Sequence, residues 1–131
     1  MASTPSFAAT PKLGAGLVPA TLDTSLTAPT NVTTIVTGAA SGTKVEELVF
    51  QAVGTTVASV VNVFVYDATT YHLIDQVLVS AVTSSTTALA FRARKQYQNL
   101  LLPSTSHSIR VTNTVAGNQS MVKVSAFGAD F

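Results

Sequence analysis

The sequence predicts an all-β protein: a single antiparallel β-sandwich, jelly-roll-like, of seven or eight strands, preceded by an extended N-terminal arm. Three observations carry the prediction. β-branched residues dominate, and no segment sustains the i, i+3, i+4 apolar stripe of an amphipathic helix. Turn signals recur about every 8–12 residues, the spacing of short strands in a sandwich. Four of the five prolines fall in the first 30 residues, which sets that stretch apart. At 131 residues the chain has the length of one domain, so the expected division is an arm over 1–30 and a sandwich over 31–131.

The arm comes first. Pro5, Pro11, Pro19 and Pro29 recur every eight to ten residues, a spacing that blocks helix interiors and paired central strands. Phe7, Leu13, Leu17, Val18, Leu22 and Leu26 stud it, so it is built to lie along a surface, its own or a neighbour's. Phe7, Leu13, Leu17 and Val18 are its expected anchors. On this reading removal of residues 1–28 leaves a folded assembly that docks more weakly.

Strands follow. Asn31 to Thr37 is β-branched, and Gly38 to Gly42 turns. In Thr43 to Val53, a face of Val45, Glu47, Val49, Gln51 and Val53 alternates with one of Lys44, Glu46, Leu48, Phe50 and Ala52. Val57 to Tyr66 is the most β-prone run. Asp67 to Thr70 reads as a tight loop, with Tyr71 to Val82 returning as the second strand of a hairpin. After a loop at Ser84 to Thr87, Leu89 to Leu101 supplies a strand or two. Ser106 to Asn113 and Gln119 to Phe127 complete the set. The pattern does not separate a jelly roll from an immunoglobulin-like sandwich, although the Cys-Trp-Cys signature of the latter is missing.

Val57 to Tyr66 is apolar on both faces apart from Ser59 and Asn62, whereas a strand with one wet face alternates apolar and polar. Two explanations compete. A loop or the arm covers the outer face, or Phe64 and Tyr66 form a subunit interface. Phe64, Tyr66, Tyr71 and Leu73 are accordingly the expected trimer or core contacts.

Composition adds an expectation about the surface. Hydrophobic residues make up 47% of the chain and charged residues only 10%, against about 25% charged in ordinary soluble domains. About a quarter of the chain is Ser or Thr. Disordered chains show the reverse balance. Seven basic and six acidic residues are too few to disperse a monomer of this size. Much of the surface is therefore expected to be covered by other subunits. A formal net charge of +1 gives no general reason to bind nucleic acid or a membrane surface. No stretch reaches the ~18–20 apolar residues of a membrane span. The N-terminus lacks the basic start and apolar run of a signal peptide, so secretion by that route is not expected.

Residues that could carry chemistry are sparse. His72 and His107 lie in different strands, the first near Asp75, the second flanked by Ser106 and Ser108. No Gly-x-Ser-x-Gly elbow accompanies them, and in so hydroxyl-rich a chain a serine beside a histidine is expected by chance. His72 and Asp75 point to opposite faces of a strand. No calcium-loop pattern occurs, and zero Cys excludes thiolate sites. No catalytic residue, metal or cofactor is expected. Gly14-Ala15-Gly16 lacks the strand, helix and third glycine of a nucleotide motif. Asn31-Val32-Thr33 and Asn118-Gln119-Ser120 match the glycosylation pattern by chance. Arg92, Arg94 and Lys95 form the only charge cluster in the sequence. They read either as a polar patch docking on an acidic protein surface or as charge guarding an edge strand.

Over roughly residues 30–131, in the hairpin Val63-Phe-Val-Tyr-Asp-Ala-Thr-Thr-Tyr-His-Leu-Ile-Asp75 and the tail Ala126-Phe-Gly-Ala-Asp-Phe131, the chain resembles capsid decoration, or cement, proteins of tailed bacteriophages. The resemblance implies a non-enzymatic structural subunit made in the host cytoplasm and placed on the outer surface of the virion. Such proteins trimerise at three-fold and quasi-three-fold positions and clamp neighbouring major capsid subunits after head expansion. The implied partners are the major capsid protein and two further copies of the chain, with no nucleic acid and no membrane. A carbohydrate- or receptor-binding sandwich from a phage head or tail fibre is the alternative, although aromatics are only 7% of residues and Trp is absent.

Overall fold

A computed structural model describes residues 8–131 and contains eight strands and no helix. They are β1 (Thr10–Leu17), β2 (Thr33–Thr37), β3 (Thr43–Ala52), β4 (Ser59–Tyr66), β5 (Tyr71–Val79), β6 (Arg92–Leu102), β7 (Ser108–Asn113) and β8 (Val122–Asp130). One sheet has the order β1-β8-β3-β6, the other β2-β7-β4-β5, with every pairing antiparallel. Only β4 and β5 are joined as a hairpin within one sheet; every other connection crosses between sheets. This interleaved order is that of a jelly roll.

Inward-facing side chains of both sheets make one core. Leu48 and Phe50 of β3, Val122 and Val124 of β8 and Leu102 of β6 meet Val61 and Val63 of β4 and Ile109 and Val111 of β7. All are essentially sealed from solvent. Burying each contributes about 1.5–3 kcal/mol. This apolar layer holds the two sheets face to face.

The segment expected to stay outside the core does not. Thr10–Leu17 is a strand of the first sheet, in register with β8 from Thr10 opposite Asp130 to Leu17 opposite Lys123, and Val18 is 1% exposed inside the sandwich. The sandwich thus begins at residue 10 and not at residue 31. Proline is compatible with this because β1 is an edge strand. Val18 N donates to Val122 O, so even-numbered residues bond to β8 while odd-numbered ones, Pro11 among them, turn their backbone nitrogen to the open edge. Removing residues 1–28 would strip a strand from the sheet. Phe7 lies outside the described residues.

Gly14 and Gly16 find their purpose here. They lie inward on β1, where it closes against β2, and a Cβ on Gly14 would stand 2.3 Å from the Ile35 carbonyl oxygen. A Cβ on Gly16 would stand 2.8 Å from Thr33 Cγ2. The two glycines permit the approach that shuts this side of the sandwich.

Residues 19–32 cross from one sheet to the other. Asp23 organises the crossing: its carboxylate accepts N–H bonds from Ser25 (3.0 Å), Thr30 (2.7 Å) and Asn31 (3.0 Å). Its own N–H is given to the Asn113 carbonyl.

The even alternation read for Thr43 to Val53 is interrupted by a bulge. Register slips between Val45 and Glu47 against both β6 and β8. Glu46 is the extra residue, so Val45 faces inward with Leu48, Phe50 and Ala52, while Lys44, Glu47, Val49 and Gln51 face out. Opposite, Tyr97, Gln98 and Asn99 are left over in β6, and Asn99 takes a φ of 59° to make the bend.

Candidate docking surfaces

The outer face of the first sheet divides by chemistry. Register places Leu13 opposite Phe127, Ala15 opposite Ser125 and Leu17 opposite Lys123. Leu13 is 66% and Phe127 44% exposed, with Leu17 also open. The β1–β8 half is therefore an apolar strip. The β3–β6 half carries Glu47, Gln51, Arg92, Arg94 and Gln96 on the same face. Of the expected arm anchors, Leu13 and Leu17 lie on the open strip. Val18 is spent on the protein's own core, which corrects its assignment as an anchor for another surface.

Arg92 and Arg94 project from this outer face, while Lys95 lies on the other face of β6, opposite inward-pointing Leu48. β6 is an edge strand, the position where charge discourages edge-to-edge pairing. Arg94 grips Glu47 through two N–H groups, Nε to Oε1 and Nη2 to Oε2. Exposed pairs of this kind contribute at most about 1 kcal/mol. The structure thus divides the cluster: Arg94 is paired, and Arg92 and Lys95 have no carboxylate within 4.0 Å among the described residues.

The paired bulges open a groove of about 750 Å³, lined by Glu46, Glu47, Gln96, Gln98 and Asn99 with Lys44 at one side. Lys44 Nζ lies 3.7 Å from Glu46 Oε1. Beneath it, Tyr97 reaches across the open side of the sandwich and donates from its hydroxyl to Asp75 Oδ2 of β5 at 2.9 Å. Burial, reinforced by the bond to Asp75 and its charge, pushes the Tyr97 phenol well above its usual range. Sequence reasoning missed this groove because a bulge leaves no mark in strand periodicity. The Gln96 to Asn99 run of amides, with a phenol among them, was the only available signal.

The outer face of the second sheet holds an aromatic cluster. Tyr66 and Tyr71 are ladder partners, with ring centroids 4.3 Å apart. Phe64 lies beside them, meeting the Tyr71 ring edge-on at 5.8 Å, and is fully buried. The double-sided apolarity of β4 serves two layers: inner Val61 and Val63 enter the core, and outer Phe64 is fully buried within the subunit, with Tyr71 against its ring. Outer Asn62 is buried too, accepting at 2.9 Å from Gln76 Nε2. Phe64 is a contact within the subunit; Tyr66 and Tyr71 remain half-exposed and Leu73 is 37% exposed.

Arg110 of β7, which sequence analysis passed over, completes this cluster. Its guanidinium carbon lies 4.2 Å above the Tyr66 ring centre. Nη1 donates to the Tyr71 hydroxyl at 3.1 Å and Nε to Ser108 Oγ at 3.0 Å. Its signal was a single cation in the otherwise uncharged strand Ser108–Asn113.

The histidines stand in separate settings. His72 Nε2 bonds Asp67 Oδ2 at 3.0 Å beside the hairpin loop. That bond comes first in holding the Asp67 carboxyl far below the usual range, followed by the Thr70 amide and the Thr69 hydroxyl and amide. His107 Nδ1 meets Ser104 Oγ at 3.1 Å in the turn before β7, not either flanking serine. Among the described residues no three His, Asp or Glu side chains cluster as metal ligands.

Compared with known protein families the chain matches none, and no curated protein matches it.

Proposed function

We propose that this protein is a structural subunit of a tailed-phage virion, a decoration protein that binds the outer surface of the mature capsid and bridges major capsid subunits, itself a homotrimer. The observation that carries the proposal is the open apolar strip of Leu13, Leu17 and Phe127 on a chain with 10% charged residues. Contiguous exposed apolar surface of this kind marks a site that another protein covers. The rigid jelly roll supports the same reading, because it offers two broad faces, one for sister subunits and one for a shell. The sequence resemblance in the hairpin and the tail adds to it. A subunit of this type stabilises a shell by burying surface that exists only after assembly, so its binding energy adds to shell stability by mass action.

Light scattering on the purified chain, followed by mixing with expanded phage heads, tests the proposal. A mass three times 13.5 kDa and saturable binding to heads are expected. A monomer that ignores heads overturns it.

One observation favours a second reading, a carbohydrate- or receptor-binding module of a phage fibre. The groove between the bulges is lined by amides and carboxylates, groups that hydrogen-bond sugar hydroxyls well. A glycan array that responds to the protein, and loses that response on Gln98→Ala, would select it over the first.

A further inference from the structure

The charges of this chain do not balance locally. Each of its carboxylates is engaged: Asp130 by Lys12 and Thr43, Glu46 by Lys44, Glu47 by Arg94, Asp67 by His72, Asp75 by Tyr97, and Asp23 by backbone N–H groups. Among the described residues, Arg92, Lys95, Arg110 and Lys123 have no carboxylate within 4.0 Å. Arg92 and Lys123 stand in open water, where a cation needs no partner. Arg110 differs. It is half-buried, stacked on Tyr66 and tethered through Nε and Nη1, while Nη2 makes no hydrogen bond within the described residues.

We infer that Arg110, with Tyr66, Tyr71 and Leu73 around it, is a docking site for an acidic side chain on the surface of a different protein. Tyr and Arg dominate the residues that carry binding energy at interfaces, especially when aromatic surface surrounds a pre-positioned guanidinium. Here the stack and two hydrogen bonds fix the fork before any partner arrives, so little side-chain entropy is lost on binding. The open Nη2 edge suits a carboxylate. Exposed Thr34 and Thr37 of β2 lie at the margin of the same face and supply the polar rim that interfaces possess.

The chemistry of the occupant follows from the surroundings. Among the described residues Arg110 is the only Lys or Arg that register places on the outer face of the second sheet. A lone cation matches a single carboxylate, whereas nucleic acids and anionic membranes need several. A second copy is the poorer source, because five of its six Asp and Glu side chains are hydrogen-bonded within their own subunit and only Glu46, 3.7 Å from Lys44, is loosely held. The site requires no particular assembly, so it stands or falls separately from the capsid reading.

The test is NMR on the full chain, following the Arg110 Nε–H signal and the Tyr66 and Tyr71 ring signals. Four probes are titrated: a capped Ala-Leu-Glu-Leu-Ala peptide, its Gln counterpart, inorganic phosphate and a methyl glycoside. The Glu peptide is expected to shift all three residues saturably and to weaken with added salt. The Gln peptide should bind roughly tenfold more weakly or worse, the loss of a charge-assisted hydrogen bond. Arg110→Gln should abolish the response and Arg110→Lys reduce it several-fold. Should Arg110→Gln unfold the protein, Tyr71→Phe keeps the ring, loosens the fork and should weaken the Glu peptide alone. Equal binding of both peptides, preference for phosphate or the glycoside, or no response to the Glu peptide overturns the inference.

Discussion

Leu13 of β1 and Phe127 of β8 face each other across the ladder on the outer side of the first sheet, and both lie open to water. Cross-strand apolar partners stabilise a sheet by about 0.2–1 kcal/mol, far less than the same surface yields when a partner protein covers it. Replacing both with Ser should change the stability of the isolated subunit little, since exposed substitutions shift it by about 0.5 kcal/mol or less. Light scattering should register a loss of assembly. A variant that retains the full oligomeric mass would remove the strip from the interface.

Closure of the sandwich beside β1 depends on missing side-chain atoms. Gly14→Ala would drive a Cβ onto the Ile35 carbonyl oxygen, a backbone atom that cannot step aside. A loss of about 1–3 kcal/mol is expected, as for other overpacked sites. Gly54→Ala is the control: its Cβ would meet only the flexible end of Met121, so urea unfolding should separate the two clearly.

Acid should weaken the protein in a defined window. Asp23, Asp67 and Asp130 all titrate below the usual 3.8, chiefly through the Asn31 amide, His72 and Thr43 respectively. A lowered folded value means that the stabilisation is present above 3.8 and is lost as pH falls through the folded values. Melting curves should therefore be flat near neutrality and drop below about pH 4. Asp67→Asn should flatten part of that drop. An unchanged acid limb would show that the hairpin carboxylate is not responsible.

Alkali reports on the open side of the sandwich. Tyr97 is raised above its usual 10.0 by burial and then by Asp75, so its contribution is complete below pH 10 and declines as pH rises through the folded value. Tyr97→Phe should cost about 1–2 kcal/mol, because it leaves Asp75 Oδ2 without its donor while Oδ1 keeps the Gln76 N–H. It should also remove the late-titrating phenol from the ultraviolet titration. If Tyr97 of the wild type titrates near 10.0, the bond to Asp75 is wrong.

What the sequence disclosed was the part governed by short-range pattern. Val61 and Val63, or Ile109 and Val111, announce strands because their branching and spacing are local properties. Pro11 misled for the same reason. Its effect depends on whether the strand lies at an edge, a tertiary fact that no local window contains. Glu46 hid the groove because a bulge shifts every later side chain without changing composition. Arg110 was passed over since its meaning comes from Tyr66 and Tyr71, which reach it only after β4, β5 and β7 align.

The pairing of Thr10 with Asp130 also bears on how the protein is made. Sheet one cannot be completed while β8 is still inside the ribosome, so β1 must wait unpaired while β2 to β7 are made. Contacts this distant along the chain form slowly, and waiting strands of this kind are prone to stick to one another. Pro11, which lacks a ladder donor, and Gly14 and Gly16, which weaken a strand, make waiting β1 a poor template for a wrong edge.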